Sequence, residues 1–134
     1  MLRFILGIFI ILHGLVHLLY FGQSWRLFEL QPGMLWPDGS WTLSKLLGDN
    51  AVRTIAGITL ILAAAGFILG GFALFTNQIW WKSLIVNSAV FSSVLFILFW
   101  DGATDRLGDK GGIGILINLA ILAVLLIFKW PAIK

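Results

Sequence analysis

The stretch FILGIFIILHGLVHLLYFG, Phe4–Gly22, decides how the rest of the chain is read. It stays apolar for about 19 residues, close to the roughly 20 that a helix needs to cross a bilayer core. His13 and His17 interrupt it. Imidazoles four residues apart on a helix lie on one face, one turn above the other. Lipid penalises both, so that face should point into the protein, where an ionisable group marks a functional site. Met1-Leu2-Arg3 resembles the start of a signal peptide. The apolar run after it exceeds the 7–15 residues of such a segment, however, and Tyr20-Phe21-Gly22-Gln23 makes a poor cleavage site. The reading is a retained transmembrane helix.

Composition agrees. Mean hydropathy is +1.00 over 134 residues. Only 11% of residues are charged, against about 25% in soluble domains. The absence of cysteine excludes disulfides, thiolate metal sites and Fe–S clusters. A net charge of +3 is no nucleic-acid signal here, because in a membrane protein what matters is where the basic residues fall.

Three further runs, about 52–75, 82–100 and 112–128, meet the roughly 20-residue requirement for a spanning helix, so the expectation is one all-α, polytopic unit over residues 1–134, a four-transmembrane-helix bundle with its first span at about 4–22. Short connections at Thr76–Trp81 and Asp101–Gly111 imply antiparallel hairpins. All seven tryptophans fall at or beyond a helix end, as an interfacial aromatic belt requires. Arg3, Lys82, Lys129 and Lys134 crowd the short segments of one side. The density of positive charge therefore places both termini in the cytoplasm of a prokaryotic inner membrane. All six acids (Glu29, Asp38, Asp49, Asp101, Asp105, Asp109) lie on the other side. Gly66 and Gly70 form a GxxxG pair that serves packing within the bundle in preference to homodimerisation.

The long first connection, Gln23–Asn50, carries turn signals at Pro32-Gly33 and Pro37-Asp38-Gly39. Asp38 or Ser40 is placed to cap a short helix near Trp41. The segment reads as interfacial, either a lid over the outer mouth or a loop resting on headgroups. His13, His17, Arg53, Asp101 and Asn118, with Thr59, Ser92 and Ser93, come from all four helices and share the outer half of the membrane. If they face inward they line one polar pocket, and His13, His17, Arg53, Asp101 and Asn118 are the expected ligand-binding residues. Asp101, Asp105 and Asp109 read as a solvated acidic turn rather than a calcium loop.

Two histidines at this spacing also suit a metal ion. Asp101 or Glu29 would then supply a further ligand, and His13 and His17 are the metal candidates. No HExxH glutamate is present. A haem could take one histidine, but both cannot sit on opposite faces of one porphyrin. The HGLVHL helix, the small-residue-rich second span, Trp80-Trp81, Trp100-Asp101 and Asn118 resemble a group of small bacterial and archaeal four-span proteins similar in layout to DoxX-like membrane proteins. That resemblance implies the compact four-span fold and supplies no catalytic residues. The leading functional expectation is non-enzymatic. It is binding of a small ligand or a lipid or quinone headgroup, or service as an accessory subunit of a membrane complex. The alternative is a metal- or haem-binding redox component. The bilayer is the expected partner, homo-oligomerisation stays open, and no nucleophile–base pair points to an enzyme.

Overall fold

The computed structural model describes residues 1–37 and 39–132; Asp38 and Lys134 lie outside the described residues. The chain is all-helical. It runs α1 (Leu2–Ser24), a short α2 (Ser44–Leu47), α3 (Asp49–Phe75), α4 (Trp81–Leu98) and α5 (Gly112–Leu122), which continues into a π-helical segment Ala123–Ile127. Three helices, α1, α3 and α4, are long and apolar enough to cross a membrane. The continuous helix Gly112–Ile127 is apolar but shorter. At 1.5 Å per residue it spans about 24 Å against a core of about 30 Å.

Each helix buries one stripe and leaves the rest apolar and exposed. On α1 the buried residues Gly7, Ile10, His13, Gly14 and His17 recur at helical spacing. Ile5, Ile8, Leu12, Leu15 and Leu19 point outward, as lipid requires. Small residues decide how closely α1 and α3 approach, since van der Waals packing replaces a hydrophobic drive inside a membrane. A Cβ on Gly14 would sit 2.9 Å from Phe67 Cβ and 3.2 Å from the Ala64 carbonyl oxygen. One on Gly71 would sit 2.9 Å from the Gly7 carbonyl oxygen. Gly66 and Gly70 instead face Ser88 and Ile85 of α4, so the GxxxG pair serves packing inside the chain.

The helix ends follow local rules. Asn77 adopts φ +56° after α3, and the Gln78 N–H donates to the Ala73 carbonyl at 2.9 Å. That 6→1 bond is a Schellman stop, with asparagine tolerating the left-handed turn. Ser40 accepts from the Leu43 N–H at 3.0 Å, capping the turn that leads into α2.

The long first connection folds over one end of the bundle. Gln23, fully buried, donates to the Met34 carbonyl at 2.7 Å and accepts from the Leu30 N–H at 2.9 Å. Ser40 donates to the Leu98 carbonyl and Trp41 Nε1 to that of Ile97. Met34 and Trp36 thereby enter a core with Val52, Leu60, Leu95, Phe96 and Phe99. This qualifies the tryptophan pattern. Trp25, Trp41, Trp80 and Trp130 are exposed, whereas Trp36 and Trp81 are buried. None lies mid-helix, and Trp36 lies within the first connection between α1 and α2, so position outside a helix does not fix which way an indole points.

Candidate functional site

His13 stands at the midpoint of α1, and its ring is held by a closed set of hydrogen bonds. His17 Nδ1 lies 2.9 Å from the His13 carbonyl oxygen. A carbonyl only accepts, so Nδ1 carries the proton and Nε2 of a neutral ring must accept. Ser92 Oγ, 2.7 Å away, is then the donor to Nε2. Its lone pairs receive the Asn118 Nδ2–H at 2.9 Å. The Asn118 Oδ1 finally accepts from His13 Nε2–H at 2.8 Å. Flipping the Asn118 amide would leave Ser92 one proton for two acceptors. One arrangement therefore satisfies every bond, and it links α1, α4 and α5.

Aromatic rings enclose this cluster. The His13 and His17 rings meet edge to face, with centroids 5.1 Å apart. Phe67 of α3 packs at 4.8 Å from His13 and 5.2 Å from His17. His13, His17, Ser92 and Asn118 are all buried. A shared polar interior satisfies the donors and acceptors that hydrocarbon cannot.

The other expected site residues lie elsewhere. Arg53 hydrogen-bonds Asn50 on its own helix and borders a cleft with Ser24, Trp25 and Thr54. Thr59 and Ser93 bond back to carbonyls of their own helices. Asp101 pairs with Lys110, Oδ2 to Nζ at 3.0 Å, and Asp105 adds a second contact at 3.2 Å. Partial burial opposes ionisation of Asp101. The Ala103 N–H and the Lys110 ammonium outweigh it and hold the carboxyl below its usual range. Burial likewise works against the Lys110 charge, and its two carboxylate partners overcome it, so its pKa is raised.

Asp101 lines a cavity of about 180 Å³ that lies outside the buried cluster. Asp105, Arg106, Asp109 and Lys110 form one wall, and Gly33 to Trp36 of the first connection form the other. Trp36 packs on Phe96 at 5.5 Å and on Tyr20 at 5.1 Å. Phe96 in turn touches His17 at 5.8 Å. The aromatic trio thus separates the cavity from the buried cluster. Among the described residues, Trp36 Nε1 is the one buried side-chain nitrogen or oxygen without a hydrogen-bond partner.

Among the described residues, no three His, Asp or Glu side chains converge to hold a metal ion. His17 would have to surrender a hydrogen bond to ligate metal or haem iron, since both its ring nitrogens are engaged. Comparison with protein families, curated proteins and solved structures finds no match to this chain.

Of the five residues expected to line one pocket, the structure brings His13, His17 and Asn118 together with Ser92 and leaves Arg53 and Asp101 apart from them. The contribution of Trp36, Arg106 and Lys110 to the outer cavity was not foreseen from the sequence. The available signal was a tryptophan lodged between Gly33 and Pro37, a position that a loop free in water has no use for.

Proposed function

We propose that this chain is a four-span membrane protein that binds a small ligand, or a lipid or quinone headgroup, in the loop-covered outer half of its bundle. The outer cavity carries this reading. It is small and lined with charge, and the first connection roofs it. Hydrogen bonds and buried side chains, not headgroup contact alone, hold that connection down. Ligand sites between bundle helices have this character. The fourth span is Gly112–Ile127, with Lys129 and Trp130 beyond it at the membrane surface, where such residues accommodate a short helix. Both termini face the cytoplasm of a prokaryotic inner membrane. The His13–Asn118–Ser92–His17 ring lies under the aromatic floor and fixes the relative position of the helices that carry it. The chain can act alone or as an accessory subunit of a membrane complex.

The natural absence of cysteine makes the test direct. Leu35 lines the cavity and is 62% exposed, while Gln31 is exposed in the same connection outside it. Leu35→Cys should react with an impermeant maleimide several-fold more slowly in native membranes than after delipidation in detergent. Gln31→Cys should react equally in both. Equal rates for Leu35→Cys would remove the ligand, and reaction only from the cytoplasmic side would invert the topology.

A further inference from the structure

We infer that the outer cavity takes the headgroup of a zwitterionic phospholipid bearing a primary ammonium, with one acyl chain lying in the apolar cleft between α4 and α5. This rests on the ligand-binding reading above and names its ligand class. The cavity and the cleft share Lys110 as a common wall. On the cleft side, Ile97, Trp100, Leu107 and Ile115 bound a volume of about 320 Å³, and Ile97 and Leu107 are exposed where lipid chains run. A charged chamber joined to an apolar slot is the shape of an amphiphile.

The charges select the headgroup. Lys110 is committed to Asp101 and Asp105, and its side chain is only 11% exposed. Among the described residues, Arg106 and Asp109 form no ion pair, which leaves one positive and one negative group on the same wall. A phosphodiester matches the guanidinium fork, and a primary ammonium offers N–H donors to the Asp109 carboxylate. The buried Trp36 N–H lacks an acceptor, and a phosphate or ester oxygen at the cavity wall provides one. A choline headgroup has no N–H to give Asp109. A glycerol headgroup has no cation at all.

The full-length protein would be reconstituted in vesicles of equal phosphatidylethanolamine, phosphatidylcholine and phosphatidylglycerol, then released for native mass spectrometry. One phosphatidylethanolamine per chain should be retained, enriched on the order of tenfold over the other two. Arg106→Gln, at an exposed position, and Asp109→Asn, at a half-buried one, should bring that enrichment close to parity. Trp36→Phe, which keeps an aromatic ring and loses the N–H, should lower retention, and Ile97→Trp should abolish it by filling the cleft. Equal retention of the three lipids, or enrichment of phosphatidylglycerol, overturns the headgroup assignment. The cavity reading then survives if Leu35→Cys remains protected. Protection of Leu35→Cys by water-soluble glycerophosphoethanolamine as strong as by the lipid overturns the acyl-chain slot. Loss of all retained lipid together with loss of protection sinks both proposals.

Discussion

Replacing Asn118 by leucine removes the residue through which α5 is tied to α1 and α4. Asn118 is 0% exposed, accepts from His13 at 2.8 Å and donates to Ser92 at 2.9 Å. Two interhelical bonds at about 0.6 kcal/mol each give roughly 1.2 kcal/mol. Stranding the His13 N–H against Phe67 adds about 1–3 kcal/mol. The expected loss is therefore about 2–4 kcal/mol. Leucine has the same number of side-chain heavy atoms as asparagine and is the bulkier, so no cavity contributes. His13→Leu alone should cost a similar amount, because it strands the Asn118 carbonyl oxygen. In the double variant neither group is stranded, and the combined loss should fall short of the sum by about 1–2 kcal/mol. Unfolding in mixed micelles of increasing SDS, followed by far-UV circular dichroism, measures all four corners of this cycle. Asn87→Leu is the control, since Asn87 is exposed on α4 and should cost nothing. Additive losses, with coupling below about 0.5 kcal/mol, would refute the hydrogen-bonded ring.

The donor order around that ring fixes two different tautomers. Nitrogen-15 spectra of labelled histidine should show the proton on Nδ1 of His17 and on Nε2 of His13, and one shared tautomer would break the assignment. Gly14→Val should separate α1 from α3, because its Cβ meets Phe67 and the Ala64 backbone, with an overpacking cost of about 1–3 kcal/mol read as a lower unfolding midpoint in detergent. The Asp101–Lys110 turn should be held tightest between the two ordinary pKa values. Asp101 is depressed, so its contribution is present above the usual carboxylate range and lost as pH falls through its folded value. Lys110 is raised, so its contribution is present below the usual lysine value and lost as pH climbs through its folded one. Intrinsic-rate-corrected amide exchange at Ala103, whose N–H donates to Asp101 at 2.9 Å, should speed up on the acid side. Loss of protection that sets in above the usual carboxylate range, or unchanged protection in Asp101→Asn, would argue against the pair.

The all-helical class, the position of each long helix and the inward face of α1 follow from composition and local periodicity alone. Histidines four apart cannot face lipid together, and a run of leucine, isoleucine and phenylalanine on the other face leaves one orientation. Asn118 was legible for the same reason, as an amide within an otherwise apolar span. The choice among the remaining polar groups was not. Arg53, Asp101, Ser92 and Ser93 all lie at depths that would suit one pocket when depth is counted along the sequence. Arg53 turns instead toward Asn50 at the start of α3, and Asp101 toward Lys110, whereas Ser92 enters the cluster and Ser93, one residue on, bonds only its own helix. A shift of one residue rotates a side chain by about 100°, so partnership depends on the rotation and axial offset of each helix. Glycine contacts such as Gly14 on Phe67 and Gly71 on Ile11 set those offsets, and they are relations between distant parts of the chain. The same holds for Trp36. Its place in a loop is written in the sequence, but its burial depends on Gln23, Ser40 and Trp41 finding carbonyls across the bundle mouth, bonds that exist only once the helices have packed.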